Sequence, residues 1–111
     1  MTETMGPILD DLRAVQVDAV KPVEVAPGVI RRRLPGTGRA DGWLYDLVPG
    51  VAWPEAALHP GEERCYYVLF GELIDRDRRL GPGSYLVLGP GSPYRPRTET
   101  GARVLGVSIA P

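Results

Sequence analysis

Cysteine is almost missing from this chain: Cys65 is alone among 111 residues, so neither an internal disulfide nor a zinc site built from several thiolates is available. No sign of charge dominates either. Thirteen basic residues stand against fourteen acidic ones, for a net charge of -1, and such a balance lacks the positive field on which non-specific nucleic-acid binding depends. Long apolar runs are absent, none approaching the roughly 18 residues of a membrane-spanning helix, so no membrane contact is expected. There is no glycine-rich loop ending in Lys-Ser or Lys-Thr and no long helical pattern between the apolar pieces, which excludes a nucleotide-binding α/β unit. The first residues, MTETMGPILDDLR, carry acid where a signal peptide has its basic region. A cytoplasmic protein is expected.

What the chain has instead is glycine and proline, 14 and 12 of them, placed between short apolar pieces. That distribution suits a single all-β domain of short strands and tight turns. Residues 1–22 read as an N-terminal arm with one helical turn near Asp10 to Ala14, and residues 23–111 as the barrel domain. VEVA and VIRRRL flank a Pro27-Gly28 turn, and in the second piece Arg31 and Arg33 share one face while Arg32 takes the other. A charged edge strand and an anion-facing strand are both open readings, with Arg33 the candidate ligand contact. In WLYDLV, Trp43, Tyr45 and Leu47 share a face, and the opposite face is also largely apolar, as in a strand covered on two sides. The strongest strand is RCYYVLFGEL. IDRDRRL follows as a hairpin anchored by Ile74 and Leu80, then GPGS, the strand YLVL, the turn GPGSP and a last strand ARVLGVSI.

The order LHPGEERCYYVLFGEL and then LGPGSYLVLGPGSPYRP, residues 58 to 96, resembles the two motifs of the cupin family, and in particular the small cupins related to the barrel domain of anti-sigma factors. The resemblance implies a jelly-roll barrel. In the family a His-x-His pair is followed four or five residues later by Glu, then by Val-Leu-x-Gly-Glu, and a final His comes after the second Pro-Gly turn. His59 matches the second His, Glu63 the Glu, and Val68, Leu69, Gly71 and Glu72 the strand end. Ala57 stands at the first His and Tyr94 at the last. With two of four ligands gone, no metal and no cofactor are expected, since one imidazole and one carboxylate seldom hold a first-row metal against water. Glu62 or Glu55 would have to substitute, or Tyr94 coordinate as a phenolate.

His59, Glu63 and Tyr94 then form a candidate acid–base trio: imidazole as proton carrier, carboxylate as orienting group or protonated acid, phenol as hydrogen-bond donor to a developing oxyanion. By strand parity Tyr67 and Cys65 go with Glu63 toward the interior and Tyr66 and Val68 away from it, unless a bulge near Arg64 reverses the order. Cys65 reads as packing, not as a nucleophile. Trp43, Tyr45 and Tyr67 are the aromatic ligand contacts, and Arg33 and Arg95 the groups that steer an anion. The expected protein is a metal-independent acid–base enzyme (isomerase, cyclase, dehydratase or decarboxylase) acting on a small aromatic or polyketide-like molecule, in a homodimer as the resemblance implies. A non-catalytic ligand-binding or sensory cupin and an atypical metal-dependent enzyme are the alternatives.

Overall fold

The computed structural model describes residues 13–36, 40–53, 63–89 and 96–109. A 3₁₀ turn at Val17–Ala19 precedes the strands β1 (Val23–Ala26), β2 (Val29–Leu34), β3 (Ala40–Leu47), β4 (Glu63–Gly71), β5 (Leu73–Asp75), β6 (Arg78–Leu80), β7 (Tyr85–Leu88) and β8 (Ala102–Ile109). The helical turn expected near Asp10 lies outside the described residues, as do His59, Tyr94 and Arg95.

Six strands pair in the order β1-β2-β3-β8-β4-β7, every pair antiparallel. The β5–β6 hairpin belongs to a second, smaller layer, which Ala52 and Arg97 extend through β-bridges from Ala52 to Arg97 and from Ile74 to Arg97. The two layers close on Val29, Tyr45, Leu47, Trp53, Tyr66, Val68, Leu73, Ala102 and Val104. β2 is thus an interior strand and not the sheet edge; β1 protects it. In the hairpin that Ile74 and Leu80 were expected to anchor, Leu73 pairs with Leu80 and Ile74 with Arg79; Ile74 is buried and Leu80 packs against the core.

Cross-strand register settles which side chains share a face. One row across the inner face runs Arg31, Tyr45, Val104, Val68; the next runs Arg33, Trp43, Gly106, Tyr66, Leu86; a third runs Asp41, Ser108, Arg64, Leu88. The opposite face carries Arg32, Leu44 and Asp46, then Arg103, Leu105 and Val107, then Glu63, Cys65 and Tyr67, and last Tyr85 and Val87. Asp46 bridges two arginines there, accepting from Arg103 Nε at 2.8 Å and from Arg32 Nη1 at 2.8 Å. The same arginines tether the N-terminal segment: Arg32 Nε donates to the Val20 carbonyl at 3.2 Å, and Arg103 Nη2 lies 3.5 Å from Asp18.

Removing Asp46 leaves two partly buried guanidinium groups without their common acceptor. Asp46→Ala is expected to cost about 2 kcal/mol, more than an exposed pair and less than a fully buried one. A urea titration measures it, and protease cutting near Asp18 should quicken as the tether loosens.

Candidate functional site

The floor of the site is aromatic. Tyr45, Trp53 and Tyr66 are all buried, with ring centroids 4.6 Å apart for Tyr45 and Trp53, 4.9 Å for Trp53 and Tyr66 and 6.2 Å for Tyr45 and Tyr66, all tilted or edge-on, the geometry that aromatic quadrupoles favour. Gly106 makes this packing possible. A Cβ there would sit 2.9 Å from the Tyr45 ring and 3.0 Å from the Tyr66 ring, so the two rings fold over the bare backbone. Trp53 reaches them from the smaller layer, held by its N–H donating to the Pro96 carbonyl at 2.9 Å.

Above this floor the inner face is charged. Trp43 is half-buried, and the Arg31 and Arg33 guanidinium carbons lie 4.1 and 5.4 Å from its ring centroid, within cation–π range. Arg33 also reaches Asp41 at 3.3 Å. Across the sheet Arg64 is only 7% exposed and directs Nη1 toward the Tyr66 hydroxyl at 3.5 Å. Beyond Arg64 lies the edge strand β7. A cleft of about 360 Å³ opens between it and the β5–β6 hairpin, lined by Tyr85, Leu86, Val87 and Leu88 of the edge strand and by Leu80, Asp75 and Arg78 of the hairpin. That volume is in the range of small-molecule sites.

At the far end the Glu72 carboxylate organises the turn before β8. It accepts from the Glu99 N–H at 3.0 Å, the Thr100 N–H at 3.3 Å and the Thr98 hydroxyl at 3.3 Å, and also from the Thr100 hydroxyl. The Thr100 hydroxyl first, then the Glu99 N–H, and further the Thr100 N–H and Thr98 hydroxyl hold its pKa down to about 2 against the opposing effect of burial. Glu72 is therefore an architectural carboxylate.

Two protein-level comparisons return nothing: no family model and no curated protein matches the chain. Solved structures do match. An RmlC-like cupin from Shewanella frigidimarina superposes with a TM-score of 0.77 at 13% identity, covering 91% of this chain and 93% of that one. The polyketide cyclase RemF from Streptomyces resistomycificus gives 0.73 at 22%, covering 90% and 80%. A chain of the Rhodobacter sphaeroides complex of SigE with the anti-sigma ChrR gives 0.70 at 18%, covering 96% and 75%. This chain has the cupin fold.

Within the cupin barrel, two sequence assignments on β4 change. Glu63 is exposed and shares the outer face with Cys65 and Tyr67, whereas Arg64, Tyr66 and Val68 are buried and point inward. The reason is the register with β8, which places Tyr66 beside Gly106 and Val68 beside Val104 on the core side; the bulge in this strand falls between Val68 and Phe70, too late to alter the orientation at Arg64. Tyr67, 40% exposed, is an outer residue and not a contact of the interior. Tyr45 is core, while Trp43 is half-buried and Arg33 is exposed. His59, Tyr94 and Arg95 lie outside the described residues, and so do Glu55, Ala57 and Glu62. Sequence reasoning missed Arg64, Tyr66 and Trp53; the spacing of five residues from His59 to Arg64, as acceptable as four, was the available signal for the first.

The inward position on β4 bears directly on a metal. Arg64 brings a positive charge and five N–H donors, with no lone pair to offer a cation, and Glu63 points away from the interior. Among the described residues no three of His, Cys, Asp and Glu are grouped to hold a metal ion. The described wall does not fit a metal centre. Also among the described residues, no helix is long and apolar enough to cross a membrane.

Proposed function

We propose that this chain is a small-molecule-binding cupin that receives its ligand on the inner face of the large sheet, through metal-independent contacts. The observation that carries the reading is the half-buried Trp43 at the margin of a filled aromatic core, with the Arg31 guanidinium stacked on its ring; a separate cleft of about 360 Å³ lies along Leu86 and Leu88 at the β7 edge of the sheet. A planar, partly apolar molecule suits such a surface. The likeness to the polyketide cyclase RemF supports an aromatic or polyketide-like ligand.

Tryptophan fluorescence tests this, because Trp43 and Trp53 are the only two indoles. Titration with phenol and 2-naphthol is expected to change the emission saturably, and Trp43→Ala is expected to weaken binding by about tenfold, the cost of one lost aromatic contact. Absence of saturable change with either compound would remove the reading.

A second, catalytic reading keeps acid–base chemistry, an isomerisation, cyclisation, dehydration or decarboxylation, with His59 carrying the proton and Tyr94 donating to the oxyanion. The comparison with RemF favours it; the outward Glu63 takes no part in it. His59→Ala separates the two, abolishing turnover while preserving binding if the barrel is an enzyme. The outer face, with exposed Tyr67, Tyr85, Val87 and Ile109, supports a homodimer joined through that sheet.

A further inference from the structure

We infer that β7 is a docking edge for a second copy of this chain, the two strands pairing antiparallel about a two-fold axis at Leu86 so that the two large sheets become one. The inference rests on the homodimer reading above and names how the copies meet. β7 closes the order of the six-stranded sheet, with no strand beyond it among the described residues. Tyr85, Leu86, Val87 and Leu88 all line the cleft of about 360 Å³, although Tyr85 and Val87 are exposed on the outer face while Leu86 and Leu88 turn inward. A cavity that touches both faces of a strand in succession runs along its hydrogen-bonding edge. The cleft is the space where a further strand would lie.

Backbone direction fixes the register. In an antiparallel ladder alternate residues direct N–H and C=O to the neighbouring strand, and the others direct theirs away. The Val68 N–H donates to the Ser84 carbonyl at 3.0 Å, and in the same phase Leu86 bonds Tyr66 and Leu88 bonds Arg64 along the pairing of β7 with β4. Tyr85 and Val87 therefore aim their backbone groups at the free edge, where no backbone partner meets them among the described residues. Unpaired edge groups are a template for another strand, and natural edges guard them with lysine, proline or a bulge. YLVL has none of these. A second copy answers the spacing: Tyr85 exchanges both bonds with the partner's Val87, Val87 does the same with the partner's Tyr85, and Leu86 faces the partner's Leu86 over the cleft. The outer-face pairs that result, aromatic with β-branched, are among those that stabilise sheets. Charge does not oppose the approach, since the strand carries none and the cleft wall holds Asp75 and Arg78 paired at 3.0 Å. Tyr85 and Val87 are 65% and 59% exposed. With the cleft side of Leu86 and Leu88 they offer roughly 400 Å² per copy, about half of one side of a standard interface. That area suits a reversible dimer with a dissociation constant on the order of ten micromolar.

Sedimentation velocity on the full chain from about 1 to about 300 µM brackets that value, with tryptophan emission confirming that each variant folds. A concentration-dependent dimer is expected. Val87→Pro, which removes an edge N–H from each copy, should weaken it at least tenfold. In a Cys65→Ser background, Leu86→Cys should form an interchain disulfide with oxidised glutathione. Facing residues that share no hydrogen bonds stand about 4.5 Å apart between Cα atoms, within the span of a disulfide. Tyr85→Cys should not cross-link, since its own copy lies farther along the ladder, beyond about 7 Å. The cross-link keeps the inference testable if Val87→Pro does not fold. Monomer at every concentration overturns the edge pairing and the homodimer together. A dimer that folded Val87→Pro leaves intact, or that cross-links through Tyr85→Cys and not Leu86→Cys, overturns the edge pairing and leaves a homodimer joined face to face. A monomer that binds a lysine-flanked YLVL peptide also overturns the second copy, and gives the edge to a foreign strand.

Discussion

Gly71→Ala is expected to destabilise the barrel by about 4 kcal/mol, a large part of the roughly 5–15 kcal/mol that holds a domain of this size together. Gly71 has φ of 73° and closes β4 against Ala102 of β8. A Cβ would stand 1.9 Å from the Gly101 carbonyl oxygen and 2.9 Å from the Ala102 Cα, both backbone atoms. Backbone cannot rotate aside as a side chain can. β4 and β8 would have to part, disturbing the pairs that run from Glu63 with Ile109 to Gly71 with Ala102. Gly83 is the control: its φ is 89°, but nothing lies within 4 Å of a Cβ there. Gly83→Ala should therefore cost only about 1 kcal/mol, the left-handed backbone term alone. Thermal unfolding distinguishes them, with Tm expected to fall by about 15 °C or more for the first and by about 5 °C for the second. Similar small losses in both would show that strand separation at Gly71 is easily absorbed.

The second large effect concerns acid. Glu72 titrates at about 2 when folded, against an ordinary value of 4.5. Because the folded value is the lower one, the unfolded chain binds the proton first, and the stabilisation is complete above about pH 4.5. It is lost as pH falls toward 2. A shift of this size corresponds to about 3 kcal/mol at most, and solvent screening of a carboxylate at the domain surface reduces it to about 2 kcal/mol. Glu72→Gln should remove that stabilisation at neutral pH, since the amide oxygen can still accept from the Glu99 and Thr100 N–H groups while its NH2 turns to the Thr100 hydroxyl, but the negative charge that strengthens these bonds is gone. Urea midpoints measured from pH 7 to 2.5 should therefore converge for the two proteins at the acid end. Curves that remain parallel over that range would show that the folded-state anion contributes nothing through this turn.

Much of the architecture was legible from local chemistry. Pro27-Gly28, the Arg76–Asp77 tip and the GPGS turn fall between strands, and they separate β1 from β2, β5 from β6 and β6 from β7. The same-face grouping of Arg31 with Arg33, and of Trp43, Tyr45 and Leu47, follows from the period of two and is borne out by the register. The cupin motif foretold the fold because its Pro-Gly turns and the Gly71-Glu72 pair are steric and hydrogen-bonding requirements of the barrel. Gly71 meets the Gly101 backbone, and Glu72 collects the N–H groups of the turn leading into β8.

Which side of β4 faces inward was not legible. Alternation divides Glu63, Cys65 and Tyr67 from Arg64, Tyr66 and Val68, yet each set mixes apolar and charged residues, so periodicity offers two equivalent faces. The choice belongs to partners distant in the chain: Gly106 leaves room that the Tyr66 ring occupies, Val104 packs beside Val68, and Trp53 from the smaller layer completes the cluster. Sequence by itself determined an all-β fold of short strands and tight turns, because local backbone preferences and the alternation of side chains need no knowledge of the rest. Tertiary structure alone decided that Arg64 and not Glu63 enters the barrel, because burial is a property of two surfaces meeting, and a strand carries no record of the one it meets.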